Sequence, residues 1–332
     1  MLARIRLCKT LACSFARRSA VPTRMLTVGV TYRDIIMTGV PAMPVPGHEL
    51  QATGLHEGWG GVATMARVAA RLGASTGLCS PVGDDEASER LLRSLRLEGI
   101  GTTHCEHYTN WQLPTTVALA TSADRAMVTV EHPPANPVGH SLTNVEADAI
   151  VIDLRDSTLP WLVDARRQGA RVYASRGFDE TGAWGDEQLA GIEGADVWML
   201  NDLEARAFTQ LSDPMDAARR LTSRVPTVVV TRGADGMVAV DAATGQEASV
   251  AAFPVRPRNT TGAGDATLAA FAVASGLTDV LEEQLLVAAF VASTILAGES
   301  GAADPPRLAE VLHAARVHDD PRARRVAELL AQ

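Results

Sequence analysis

From Met25 onward the sequence predicts an α/β fold, a mostly parallel sheet flanked by helices on both faces. Two observations carry this. Between residues 149 and 231, short apolar runs and helix-period segments alternate, at 149–154, 160–168, 171–174, 187–192, 196–200, 202–209, 214–223 and 226–231. Two earlier stretches, near 35–57 and 110–132, break that rhythm and are expected to form a small separate sheet.

In chain order, Leu26-Thr27-Val28-Gly29-Val30 reads as a buried first strand that ends at Thr31-Tyr32-Arg33-Asp34. Pro44, Pro46 and Gly47 mark a turn, and 48–57 reads as a short strand of mixed polarity. Gly58-Trp59-Gly60-Gly61 breaks the chain before an alanine-rich helix, Val62 to Leu72, closed by Gly73. A strand at 75–80 and a helix from Glu86 to Leu97 follow. Segments 115–121 and 126–131 form a hairpin around 122–125. After the alternating stretch, 237–252 is hairpin-like, and helices are expected at 279–296, 307–314 and 321–330.

A chain of 332 residues with 46% hydrophobic and 21% charged residues can bury a substantial core. No apolar run approaches the length of a membrane span. The net charge of −9 argues against nucleic acid as a partner. Cys8, Cys13, Cys79 and Cys105 lack metal-ligand spacing and read as a reduced thiol set of the cytoplasm. Residues 1–24 carry arginines and no acid; the first acid is Asp34. Such a leader suits a transit peptide or an extension upstream of Met25. With Lys9 the only lysine, coding bias favours the extension, and 1–24 are expected to lie outside a domain spanning 25–332.

The chemistry concentrates at Asn259-Thr260-Thr261-Gly262-Ala263-Gly264-Asp265, which runs straight into the apolar Ala266 to Phe271. Two glycines and small residues leave backbone N–H groups uncovered at a helix mouth, an anion site by geometry and dipole. A carboxylate there can take a proton from a hydroxyl that attacks a phosphate. Read alone, the letters also describe a glycine-rich turn with an ordinary helix-start acid. The whole run resembles the second signature of the ribokinase-like (PfkB) carbohydrate kinases, D-T-x-G-A-G-D. The resemblance spans roughly 26–315. It implies Asp265 as base, the amides of Gly262, Ala263 and Gly264 as the anion hole, and Thr261 on the nucleotide. It also implies that 35–57 and 110–132 form a β lid over the sugar, through which two copies pair. The signature's first acid, which in many members helps hold a monovalent cation, is Asn259 here, so weak or absent potassium activation is expected.

Further motifs fit the same family. Gly60-Gly61, then Val62 to Ala74, resembles the first signature, where glycines let the backbone approach a polyhydroxy ligand; a plain strand-to-helix turn accounts for the same letters. Met65 stands where many sugar kinases place a hydroxyl-binding Asn, and Tyr32 replaces another. Asp34, at a strand's carboxyl end, suits sugar hydroxyls or a turn cap. Asn201-Asp202-Leu203-Glu204 resembles the N-x-x-E motif that organises Mg2+ and its waters, and is equally a helix capping box. Thr231, Gly233 and Gly236 resemble a T-x-G-x-x-G nucleotide loop. Gly298 to Ala303 resembles the loop that closes over adenine. Asp153-Leu154-Arg155-Asp156 follows a strand; Arg155 offers a planar fork for an anionic substrate group or a surface ion pair. Together with Asn110, Arg155 is similar to the sulfofructose kinase branch.

The reading that follows is a cytoplasmic, Mg2+-dependent kinase that transfers the γ-phosphoryl group of ATP to a hydroxyl of a sugar or sugar derivative. The alternatives are a nucleoside kinase of the same fold, with Tyr108 and Trp111 as its aromatic clamp, or a catalytically idle sugar-binding regulatory protein.

Overall fold

The structure is a computed structural model describing residues 23–121, 125–154, 159–176, 184–185, 189 and 191–332. The first half carries β1 (Arg24–Val28), β2 (Thr31–Thr38), β3 (Gly54–Gly61), α1 (Val62–Arg71), β4 (Ser75–Cys79), β5 (Pro81–Val82), α2 (Glu86–Leu97), β6 (Glu106–His107), β7 (Thr115–Ala120) and β8 (Arg125–Val130). The second half carries β9 (Ala149–Asp153), α3 (Pro160–Arg167), β10 (Arg171–Ser175), β11 (Val197–Asn201), α4 (Asp202–Thr209), α5 (Pro214–Leu221), β12 (Thr227–Thr231), β13 (Met237–Asp241) and β14 (Gln246–Val250). It ends in α6 (Ala263–Ser275), α7 (Leu281–Ala297), α8 (Leu308–Val317) and α9 (Arg322–Leu330).

The main sheet runs β14-β13-β12-β11-β10-β9-β1-β4. Strands β4 through β12 in that row are parallel, and β13 and β14 turn back as an antiparallel edge. Both faces are covered, so successive side chains of one strand enter different cores. In β11, Val197 and Met199 pack with α1, α6 and α7, while Trp198 and Leu200 pack with α4 and α5. This is why these strands read as unbroken apolar runs. Helix α6 lies against α1, α7 and the sheet and is buried from Ala266 to Ser275. Its small side chains permit that close approach on every side.

A second sheet, β3-β2-β7-β8, forms the separate layer expected from 35–57 and 110–132. Two boundaries differ from expectation. Residues 31–34 belong to this second sheet, because the chain switches sheets at Gly29, where a Cβ would lie 2.7 Å from Val62 Cγ1. Gly58-Trp59-Gly60-Gly61 does not break the chain but completes β3, paired with β2 to its last residue. Cross-strand pairing satisfies the backbone there, so the glycines mark close approach rather than a turn. The first strand begins at Arg24, which pairs with Ser75 and bonds Asp148. Half of the helix expected at 187–192 falls outside the described residues. Among the described residues, no helix is long and apolar enough to cross a membrane.

Candidate active site

Helix α6 starts directly after Gly262, whose φ of 74° is left-handed. A side chain at Gly262 would set a Cβ 2.7 Å from Ala302 Cβ, so both backbone angle and space demand glycine. No side chain caps this helix, and the space beside Gly264 is open to 4 Å. Asp265 is half-buried in the first turn. The loop before it is tied down by Asn259, which is 3% exposed. Its Oδ1 accepts from the Thr261 N–H at 2.9 Å, and its Nδ2 donates to Ser300 O at 3.4 Å. An amide serves both directions; a carboxylate could only accept.

The turn at Gly301–Ala303 links this helix start to the second sheet. Ala302 abuts Gly262, Gly301 abuts the Asn259 side chain, and a Cβ at Gly58 of β3 would lie 2.4 Å from Ala303 Cβ. Gly58, Gly60, Asp34, Tyr32 and Thr116 therefore share the face that looks toward this turn. Asp34 lies in β2, not at the end of the first core strand, and its carboxylate sits over Gly60, where a Cβ would be 2.4 Å from Oδ2. Gly61 has φ 60°, and its missing side chain makes room for Val30 O. On the same face the Tyr32 hydroxyl donates to Glu131 Oε2 at 2.9 Å.

Along the carboxyl edge of the main sheet, Asn201 ends β11 beside Thr231 at the end of β12. Asn201 and Glu204 close a reciprocal capping box, both hydrogen bonds 2.9 Å. Burial pushes the Glu204 carboxyl above its ordinary range, the hydrogen bond from the Asn201 N–H opposing it. That box engages one oxygen of each side chain. Among the described residues no group of three or more His, Cys, Asp or Glu could hold a metal ion. Asn201 and Glu204 alone are a sparse oxygen donor set, of the kind that fits an ion keeping most of its waters, such as Mg2+. Gly233 (φ 54°) and Gly236 (φ 88°) turn the chain from β12 into β13, and a Cβ at Gly236 would strike Val250 O.

Asp265, Gly262, Ala263, Gly264 and Thr261 thus share one helix start; Asp34 and Gly60 share the sheet face that sets Gly58 against the Gly301–Ala303 turn, and Gly61 follows at the strand end. Asn201, Glu204, Thr231, Gly233 and Gly236 line the sheet edge. Asn110 is exposed and left-handed, its N–H bonded to Asp84. Arg155 lies outside the described residues. Met65 is 1% exposed and packs in the core. Trp111 is also buried, its Nε1–H held by His132 O, so it and Tyr108 form no open clamp. Three participants went unread in the sequence. Thr64 of α1 packs near Gly262 and donates to Trp59 O at 2.7 Å. Glu131 partners Tyr32. Arg67 lies buried on α1, and its only sequence signal was a charge, repeated at Arg71, on an otherwise apolar helix.

The pfkB family carbohydrate kinase model matches residues 24–307. Among solved structures, the fold is similar to ribokinase from Cryptococcus neoformans in complex with ADP (17% identity, TM-score 0.71, 88% of this chain and 99% of that one). It is also similar to Arabidopsis thaliana ribokinase complexed with ribose and ATP (19%, 0.70, 94% and 100%). A nucleoside kinase from Methanocaldococcus jannaschii matches as well (20%, 0.70, 90% and 100%). These identities speak for the fold, and the family match covers most of the sequence from the first strand onward: the chain belongs to the pfkB family of carbohydrate kinases.

Proposed function

We propose that this kinase transfers the γ-phosphoryl group of ATP to a hydroxyl of a sugar or sugar derivative. The observation that carries the reading is the uncapped start of α6, with Asp265 in its first turn, joined by the Gly301–Ala303 turn to the sheet face bearing Asp34 over Gly60. Asp34 orients the acceptor by its hydroxyls. Asp265 takes the proton of the attacking hydroxyl, and the amides of Gly262, Ala263 and Gly264 stabilise charge on the group in transit. Thr231, Gly233, Gly236 and Thr261 contact the nucleotide. Asn201 and Glu204 would hold Mg2+ through its waters; when bound, the ion neutralises phosphate charge. The second sheet acts as a lid that excludes water. Its outer face sets Leu55, Met37, Val128 and Val130 in an exposed apolar patch, which supports pairing of two copies there. The setting is cytoplasmic.

The test is ATP consumption against a panel of neutral sugars, sugar acids, sulfo-sugars and nucleosides. Saturable turnover with a sugar or sugar derivative supports the reading, and turnover with nucleosides alone overturns it. Arg155→Ala in the same panel decides the anionic-group expectation: KM should rise for an anionic acceptor and stay unchanged for ATP. A preferred neutral sugar with no effect of Arg155→Ala would assign Arg155 to an ion pair.

A further inference from the structure

The Gly301–Ala303 turn touches both halves of the site, yet its own side chains are a hydrogen and two methyl groups. Its backbone bonds are short-range, Gly301 N–H to Gly298 O and Ala303 N–H to Ser300 O. A side-chain anchor from outside the turn comes from α1. Arg67, only 7% exposed, donates from Nη1 to Ala303 O at 2.6 Å. Its Nε and Nη2 both reach Glu98 Oε1 at 2.8 Å. One turn further along α1, Arg71 donates from Nε to Glu98 Oε2 at 2.8 Å, pairs with Asp304 Oδ1 at 2.7 Å and donates to Pro305 O. Two guanidinium groups face two carboxylates: Arg67, Arg71 and Glu98 are largely buried, and Asp304, 66% exposed, closes the charge balance from the surface. The planar fork is what allows Arg67 to grip a carboxylate and a backbone carbonyl at once; an ammonium group is a point charge.

We propose that Arg67 is a positioning residue for phosphoryl transfer: by clamping Ala303 it presses the turn against Gly262, Asn259 and Gly58, and so holds the α6 start and the lid strand in one arrangement. The chain of contacts is continuous. Arg67 holds Ala303 O; the turn packs Gly301 on Asn259 and Ala302 on Gly262; Ser300 O receives the Asn259 amide; and Asn259 holds the Thr261 N–H. Helix α1 also begins directly after Gly61, so the glycine pair that ends β3 leads straight into the helix that bears Arg67. The role assigned to the turn rests on the kinase reading; the clamp itself does not.

The test uses the full chain and two readouts. Arg67→Ala is expected to keep its fold and to lower kcat tenfold or more, with KM for the acceptor changed less than kcat. Millimolar guanidinium chloride should restore part of that loss, and KCl at equal ionic strength should not. Hydrogen exchange, measured without substrate, should speed up at 300–305 and at 261–264 together and slow again with guanidinium. Arg67→Lys, which keeps the charge, covers the case in which the alanine variant does not fold; its exchange at both segments should also speed up. Unchanged exchange at 261–264 in a folded variant overturns the proposal whatever turnover does. Full activity of Arg67→Lys, or equal rescue by KCl, also overturns it, since charge alone would then suffice. If the wild type transfers phosphate to no acceptor, the kinase reading fails while the exchange result still decides the coupling.

Discussion

Asp265 stands in the first turn of α6, which starts directly after Gly262; in the proposed role it acts as a base in the transition state and not in binding. Asp265→Asn should lower kcat on the order of 10²–10⁴-fold while calorimetric ATP affinity holds; retention of more than about a tenth of the activity would remove Asp265 from the base role. Asn259 sets a second expectation. Its amide donates to Ser300 O, a contact no carboxylate can make. KCl, titrated against a bulky organic cation at fixed ionic strength, should activate the wild type little. Asn259→Asp, with a carboxylate turned toward a carbonyl, should become dependent on the monovalent cation. Strong saturable activation of the wild type would show that Asn259 does not decide the matter. Glu204 adds a pH signature. Burial raises its folded value above the ordinary 4.5, so its ionised form is lost earlier as pH falls. The acid limb of kcat/KM for Mg-ATP should therefore lie above the range of an ordinary glutamate and vanish in Glu204→Gln. A profile unchanged by that substitution would assign Glu204 to capping alone.

At the scale of elements, α1 and the segment after the last 3-10 turn are joined by side chains, not by backbone pairing. Burial would raise the Glu98 carboxyl, but the hydrogen bonds from Arg71 and Arg67 outweigh it and hold the group below its ordinary value. A carboxylate with a depressed folded value contributes stability above its unfolded value, and that contribution is lost as pH falls through the folded one. Urea midpoints of the wild type should drop on acidification below pH 4.5, and Glu98→Gln should flatten that drop. At neutral pH the substitution should lower the urea midpoint, since it leaves Arg67 and Arg71 with carbonyl acceptors and the exposed Asp304 as their only anion. A neutral-pH midpoint equal to wild type would mean the cluster carries no net stability.

For the whole molecule, the second sheet has two unlike faces across β2, β3 and β7. Ile36, Ala118 and Thr116 point inward and are buried, while Leu55 and Val128 are 67% and 70% exposed on the other side. Strand β8 is exposed on both sides, Met127 at 52% and Val130 at 61%, so the apolar outer patch and this open edge strand suit a second copy. Sedimentation velocity should give a dimer for the wild type and a monomer for Val128→Asp, a substitution that places a charge in the patch without touching the inner face. A monomeric wild type at micromolar concentration would reject lid pairing.

What was legible in the sequence was local. The Gly262–Asp265 run sets glycines and small residues directly before an apolar helix-period segment, so the start of α6 was legible before any neighbour was known. Asn201 and Glu204 cap their own helix within a single turn, and the apolar runs of β9 to β12 follow from burial on both faces. Tertiary structure decided everything that needed a distant partner. Asp34 moved from a core strand to a lid strand because strand identity depends on pairing with Gly58 and Thr116. Met65, read as a missing ligand contact, became core because α1 packs on α6. The role of Asn259 needed Ser300, and Arg67 meets Ala303 across 236 residues of chain. A side chain's type limits the bonds it can make, but which bond forms depends on what the fold brings within 3 Å of it.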